Sequence, residues 1–176
     1  AFTNLTQDHL DYHKTMENYL EAKKLILKQL EGPMIVNSDD SYAQSWLDSY
    51  DNTKTFGFNG TDYQIISYED TLKGTKLKFK YNDKEYETET NLKSKFNVYN
   101  YITTLSLVNN MGFSIEQILE VTPSIYPPKG RCEIIPVKDG IAVIDYAHTP
   151  DAVEKIIDAF IEHKKGKIIT IVGCGG

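Results

Sequence analysis

The stretch "VIDYAHTPD", residues 143–151, ends an apolar run at Asp145, places His148 three positions on and opens a helix at Thr149-Pro150. Threonine suits an N-cap and proline the first helical position. Free N–H groups and a positive dipole end therefore face this corner, which suits phosphate. Asp145 lies at the carboxyl end of a strand, where α/β sheets place ligands, and can accept ribose hydroxyls. His148 can donate to a phosphate. A turn-capping Asp145 and a surface His148 fit the same local pattern. "TNLTQDHLDYH", residues 3–13, gathers Asp8, His9, Asp11 and His13. Imidazole and carboxylate suit a divalent cation such as Mg²⁺, Mn²⁺ or Zn²⁺, although the spacing is not that of a standard zinc site. A polar loop with a capping aspartate is the plainer alternative. Lys23 stands three residues after Leu20 and four before Leu27, on the helix face that should be buried, whereas Lys24 aligns with Glu17, Glu21 and Lys28. A buried lysine must pair, shift its pKa or be chemically changed, unless it snorkels. In "KFNVYN", Asn97 and Asn100 share a helix face and offer the donor and acceptor that match the edge of adenine, with helix capping by Asn97 as the alternative. Arg131 in "KGRCE" can hold a phosphate with its planar fork.

Several elements must position these groups. Met16, Leu20, Leu27 and Leu30 recur at helical spacing and predict a helix from Thr15 to about Leu30, ended by Gly32-Pro33. "MIV" (34–36) reads as a short strand and 41–50 as a helix carrying Trp46. Alternation between Lys54 and Thr90 includes "TKLKFKY" and "EYETET" about Asn82-Asp83, a hairpin whose lysines and glutamates are cross-strand partners. After "KFNVYN" a helix runs to about Met111, and Ser114 with Gln117 forms a capping box for a short helix to Leu119 or Glu120. "TPSIYPPKG" (122–130) reads as a linker. Beyond it, "IAVIDYA", a helix from Pro150 to about His163 and "KIITIV" predict a right-handed βαβ unit in a parallel sheet.

The chain of 176 residues is 40% hydrophobic and 25% charged, enough for a core in one domain or two small ones. No apolar run reaches membrane-spanning length and no basic-then-apolar leader opens the chain. A net charge of −6 without a basic face argues against nucleic acid. Cys132 and Cys174 lie far apart without metal spacing, which fits a reduced, cytoplasmic protein. "IITIVGCGG", an apolar strand ending in a glycine turn, suggests that the chain is part of a larger protein.

Taken in order, "TNLTQDHLDYH", "EAKK", "VNSDD", "KFNVYN", "KGRCE", "VIDYAHTPDAVEK" and "VGCGG" resemble the Mur ligases from end to end of the chain. "DYAHTPDA" and "GCGG" look most like the members that add the third amino acid to the peptidoglycan precursor. The resemblance implies an α/β fold. Residues 1–128 would be the C-terminal portion of the central ATP-binding domain, a mixed sheet with helices and a β-hairpin region. Residues 129–176 would begin the Rossmann-like C-terminal domain with its first βαβ, and the hinge would lie near "YPPKG". It further implies an ATP-dependent, amide-forming ligase acting through an acyl phosphate. ATP and Mg²⁺ would be the cofactors, UDP-MurNAc-L-Ala-D-Glu the acceptor, and L-lysine or meso-diaminopimelate the added diamino acid, with no nucleic-acid or membrane partner. His9 resembles a Mg²⁺ ligand, and Lys23 the family's carbamylated lysine, whose carbamate would help to hold the cation. Asn97 and Asn100 match asparagines beside adenine, Arg131 and His148 phosphate-contacting positions, and Asp145 the ribose-contacting aspartate. Lys14 and Ser94 stand where the family usually has glycine, so their turns are expected to differ. No GxxxxGK[ST] phosphate loop occurs in the chain, which is expected to be inactive alone. The rival readings are a folylpolyglutamate synthase-like ligase and a non-catalytic nucleotide-binding module.

Overall fold

Residues 1–71, 74–161 and 164–173 are described by a computed structural model. In chain order the elements are α1 (Leu10–His13), α2 (Met16–Lys24), a 3-10 turn (Leu25–Gln29), β1 (Met34–Asn37), α3 (Ala43–Leu47), β2 (Thr53–Gly57), β3 (Tyr63–Asp70), β4 (Thr75–Tyr81) and β5 (Lys84–Thr90). There follow α4 (Lys95–Asn110), α5 (Ile115–Val121), a 3-10 turn (Thr122–Ser124), β6 (Glu133–Val137), β7 (Gly140–Ile144) and α6 (Pro150–Ile161).

Strands β1 to β5 form a sheet in that order, parallel from β1 to β3 and antiparallel from β3 to β5. Successive strand residues point to opposite faces, so the three consecutive buried residues Met34, Ile35 and Val36 mark a strand covered on both sides. Ile35 joins Phe56, Ile65 and Phe79 against Val98, Ile102 and Leu105 of α4 and Ile115 and Ile118 of α5. Met34 and Val36 join Phe2, Leu5, Leu20 and Trp46 on the other face. Each such side chain contributes roughly 1.5–3 kcal/mol by leaving water. The hairpin is as expected: Asn82 and Asp83 both have positive φ, and Lys78 reaches Glu85 at 2.8 Å. The capping box of Ser114 and Gln117 is formed.

The structure departs from the sequence reading in three respects. The first helix stops at Lys24 and tightens into a 3-10 turn, so Leu27 is not collinear with the residues before it. The sequence reading treats β2 and β3 as part of one alternating stretch. They are adjacent parallel strands, and β3 carries a register shift between Ile65 and Ser67. The expected parallel βαβ unit is instead an antiparallel β6–β7 hairpin followed by α6, while "KIITIV" (167–172) forms no strand. A strand needs a ladder to satisfy its backbone, and among the described residues no ladder includes 167–172. The predicted end of the last helix near His163, and the "GCGG" stretch from Cys174 onward, lie outside the described residues. Among the described residues no helix is long and apolar enough to cross a membrane.

Candidate functional site

Thr15 caps α2 by accepting from the Asn18 N–H at 3.2 Å, and the preceding loop is folded back against this helix. The Tyr19 ring of α2 collects the chemical groups of both segments. His13 stacks on it with centroids 4.8 Å apart, His9 meets it edge-on at 6.2 Å, and the Lys23 Nζ lies 4.8 Å from its centroid. His9 and Lys23, fourteen positions apart in the chain, are thus brought to one aromatic ring. His9 is exposed, in left-handed backbone (φ 53°), with its Nε2 3.3 Å from Asp8 Oδ2. Among the described residues no three His, Cys, Asp or Glu side chains converge on a metal position. Of the two readings of this stretch, the arrangement of Asp8, His9, Asp11 and His13 is the polar loop rather than a ready-made cluster of cation ligands.

The burial expected of Lys23 is also corrected. Lys23 is exposed, and Lys24 is the lysine drawn inward, with its side chain only 14% exposed. The inner line of α2 runs Met16–Leu20–Lys24 at intervals of four, which leaves Lys23 beside Tyr19 at its rim. Lys24 Nζ donates to Ser45 Oγ at 2.6 Å and pairs with Glu21 at 3.2 Å.

The asparagines lie in the first two turns of α4. Ser94 is the N-cap, so Asn97 is not a capping residue. Asn97 Nδ2 donates to the Lys93 carbonyl at 2.7 Å, and its Oδ1 accepts from Asn100 Nδ2 at 3.3 Å. Asn97 is buried and fixes Asn100, which is exposed and keeps one amide hydrogen and its Oδ1 clear of the described residues. That donor–acceptor pair is the complement of adenine. Ser94 and Lys14 take positive φ, 84° and 69°, the backbone region that suits glycine better than a side chain.

Arg131, Asp145 and His148 are assembled by the β6–β7 register, in which Glu133 faces Ile144. Asp145 Oδ2 accepts from the Cys132 N–H at 2.7 Å and Oδ1 from the Ala147 N–H at 2.8 Å. Each oxygen keeps a further lone pair. The Arg131 Cζ lies 4.7 Å from the centre of the Tyr146 ring, and that ring meets the His148 ring at 5.2 Å. His148 Nδ1 is 3.0 Å from the Tyr146 carbonyl oxygen. A carbonyl can only accept, so Nδ1 carries the hydrogen, and Nε2 is an acceptor in the neutral ring and a donor only in the imidazolium. Cys132 is a free, buried cysteine whose thiol is pushed up to about 11 by burial and by Asp145, against a smaller opposing pull from Lys93. Asp70 adds a further small upward push to the same thiol.

Three residues that contribute to this arrangement carried no weight in the sequence reading. Tyr19 stands four before Lys23, and Tyr146 two before His148, spacings that could have drawn attention to both. The third is Asp39 in "VNSDD", which accepts from the Phe58 and Asn59 N–H groups at 2.7 and 2.9 Å and from Tyr99 Oη at 2.7 Å. It thereby ties the loop after β2 to α4.

Comparison with known proteins gives the same picture. A 2,6-diaminopimelate-adding ligase, UDP-N-acetylmuramoyl-L-alanyl-D-glutamate--2,6-diaminopimelate ligase 1 of Clostridium acetobutylicum, is 38% identical over 180 residues, covering 99% of this chain and 37% of the relative. A solved structure of a UDP-N-acetylmuramoyl-L-alanyl-D-glutamate--2,6-diaminopimelate ligase superposes with a TM-score of 0.77 at 30% identity, covering 99% of this chain and 37% of that one. The MurF ligase of Thermotoga maritima, solved in complex with ADP, shares the fold with a TM-score of 0.74 at 20% identity over 91% of this chain and 39% of its own. The chain thus spans about 37% of the length of the curated relatives it matches. The model of the Mur ligase middle domain matches residues 1–108, and that of the Mur ligase glutamate ligase domain matches residues 130–176. Two domain models in this order over almost the whole sequence leave one assignment: the chain belongs to the Mur ligases.

Proposed function

We propose that the chain forms part of an ATP-dependent ligase of peptidoglycan precursor synthesis, which joins 2,6-diaminopimelate to UDP-MurNAc-L-Ala-D-Glu. The observation that carries this reading is the convergence of Arg131, Asp145 and His148 on one corner with polar atoms to spare. The names of the matched relatives favour diaminopimelate over L-lysine. The division is placed at residues 128 and 129. Its support is that Asn91 Nδ2 anchors the Pro123 and Ile125 carbonyls to the first unit, at 2.7 and 3.1 Å.

The residues present fit a nucleotide. Asn100 offers the adenine edge a donor and an acceptor, the Asp145 oxygens retain lone pairs for ribose hydroxyls, and the Arg131 fork is clear for phosphate oxygens. They also fit a hard cation that keeps most of its waters. His9 and a carbamate on Lys23 would supply two ligands at the Tyr19 rim; the exposure of Lys23 counts against the carbamate, which rests on the family resemblance alone. ATP supplies the phosphoryl group that makes the substrate carboxylate electrophilic, with Mg²⁺ neutralising charge on its phosphates. The chain's own part is to orient the base, hold the ribose and present positive charge to the phosphates. A cytoplasmic setting belongs to the same proposal, supported by the free thiol of Cys132.

The test is to exchange the matching segment of the Clostridium acetobutylicum ligase for this chain and to assay ATP-dependent joining of diaminopimelate. Activity is expected, with Arg131→Ala or Asp145→Ala lowering turnover about a hundredfold. A folded chimera that ligates nothing, prefers L-lysine or glutamylates folate would overturn the assignment.

A further inference from the structure

Arg131 is the only arginine of the sequence. A guanidinium carries its five donors in its own plane, so an aromatic ring against its face engages none of them. The Arg131 Cζ lies over the Tyr146 ring, 4.7 Å from its centre, no hydrogen bond of the described residues engages the guanidinium, and the same ring stands edge-on to His148 at 5.2 Å. Among the described residues no carboxylate pairs with Arg131, so the tyrosine is the contact that limits where its fork points. Tyr146 is itself 65% exposed, so its ring is not there to fill a core. Its backbone is fixed from both sides. Asp145 holds the Cys132 N–H across the hairpin, and the Tyr146 carbonyl faces His148 Nδ1.

We propose that Tyr146 is a positioning residue that aims Arg131, together with His148 in its imidazolium form, at the phosphates of one bound nucleotide. This rests on the nucleotide reading above. The tyrosine adds no donor to the ligand. It removes the rotational freedom of a long cationic side chain while leaving every donor of that side chain available.

The experiment uses the intact chain labelled with ¹³C and ¹⁵N in arginine, which reports Arg131 alone. The ring should shift the Arg131 side-chain signals upfield, Tyr146→Phe should keep that shift, and Tyr146→Leu should abolish it. Titration with ADP and with inorganic tripolyphosphate, followed on the same signals, should give a Kd unchanged in Tyr146→Phe and weakened about two- to fivefold in Tyr146→Leu. Signals or affinities that do not change in Tyr146→Leu overturn the proposal, as does an equal loss in Tyr146→Phe. A wild-type chain that shows the ring shift but responds to neither ligand overturns the nucleotide reading and this proposal with it. A wild-type chain that binds without the ring shift overturns the positioning role alone.

Discussion

Ser94 holds φ 84° and ψ 156°, a region in which a side chain is strained, and its hydroxyl is buried without a partner. Both costs disappear in Ser94→Gly, which should raise stability by about 1–2 kcal/mol and be seen as a higher Tm. The adjacent lysines of α2 make a second comparison at this scale. Lys24→Ala removes the contacts to Ser45 and Glu21 and should cost about 1 kcal/mol in urea denaturation, while Lys23→Ala should stay within about 0.5. The sequence offered both lysines at helical spacing but not the rotation of the helix, which is set by Met16 and Leu20 and by the tightening after Lys24. Asn97 and Asn100 were legible as a pair because three residues of helix bring them together whatever surrounds them. The tyrosines that collect the charged groups were not, since an aromatic ring among polar residues signals nothing until its neighbours are known.

At the level of elements, the crossover from β1 to β2 is governed by one carboxylate. Burial alone would raise the Asp39 pKa, but the hydrogen bonds from Tyr99, Asn59 and Phe58 outweigh it and hold the group below its usual 3.8. The unfolded chain therefore takes up the proton first as pH falls. The stabilisation from Asp39 is complete well above pH 3.8 and is lost as pH drops through the lower, folded value. Asp39→Ala should cost about 2 kcal/mol at pH 7 and progressively less in acid, measured by urea denaturation at each pH. Gly57 is required beside it, because its φ is 125° and a Cβ would stand 2.6 Å from Asp39 Oδ2. Turn chemistry and capping were readable here, since Asn82-Asp83 and Ser114 with Gln117 act locally. The pairing of β6 with β7 was not, because "EIIPV" and "GIAVI" show apolar content but not which strand lies beside which.

For the whole molecule, an ATP-dependent ligation assay on the isolated chain should show no turnover. No GxxxxGK[ST] segment occurs in it to cradle the β- and γ-phosphates, and measurable product would contradict this. The order of motifs was what made the family legible, since each motif had a plain structural alternative of its own. Asn100 stands on α4, within the stretch matched by the middle-domain model, whereas Arg131, Asp145 and His148 fall within the stretch matched by the glutamate ligase domain model.

Cys132 is 3% exposed, and burial with the nearby Asp145 carboxylate pushes its thiol up to about 11. In a Cys174→Ser chain, a maleimide dye can react at Cys132 only when the sulfur is both uncovered and ionised, so the labelling half-time, corrected for the thiolate fraction, reports how often the turn opens. Labelling should be far slower than in urea-unfolded chain, and Asp145→Ala, which frees the Cys132 N–H, should shorten it.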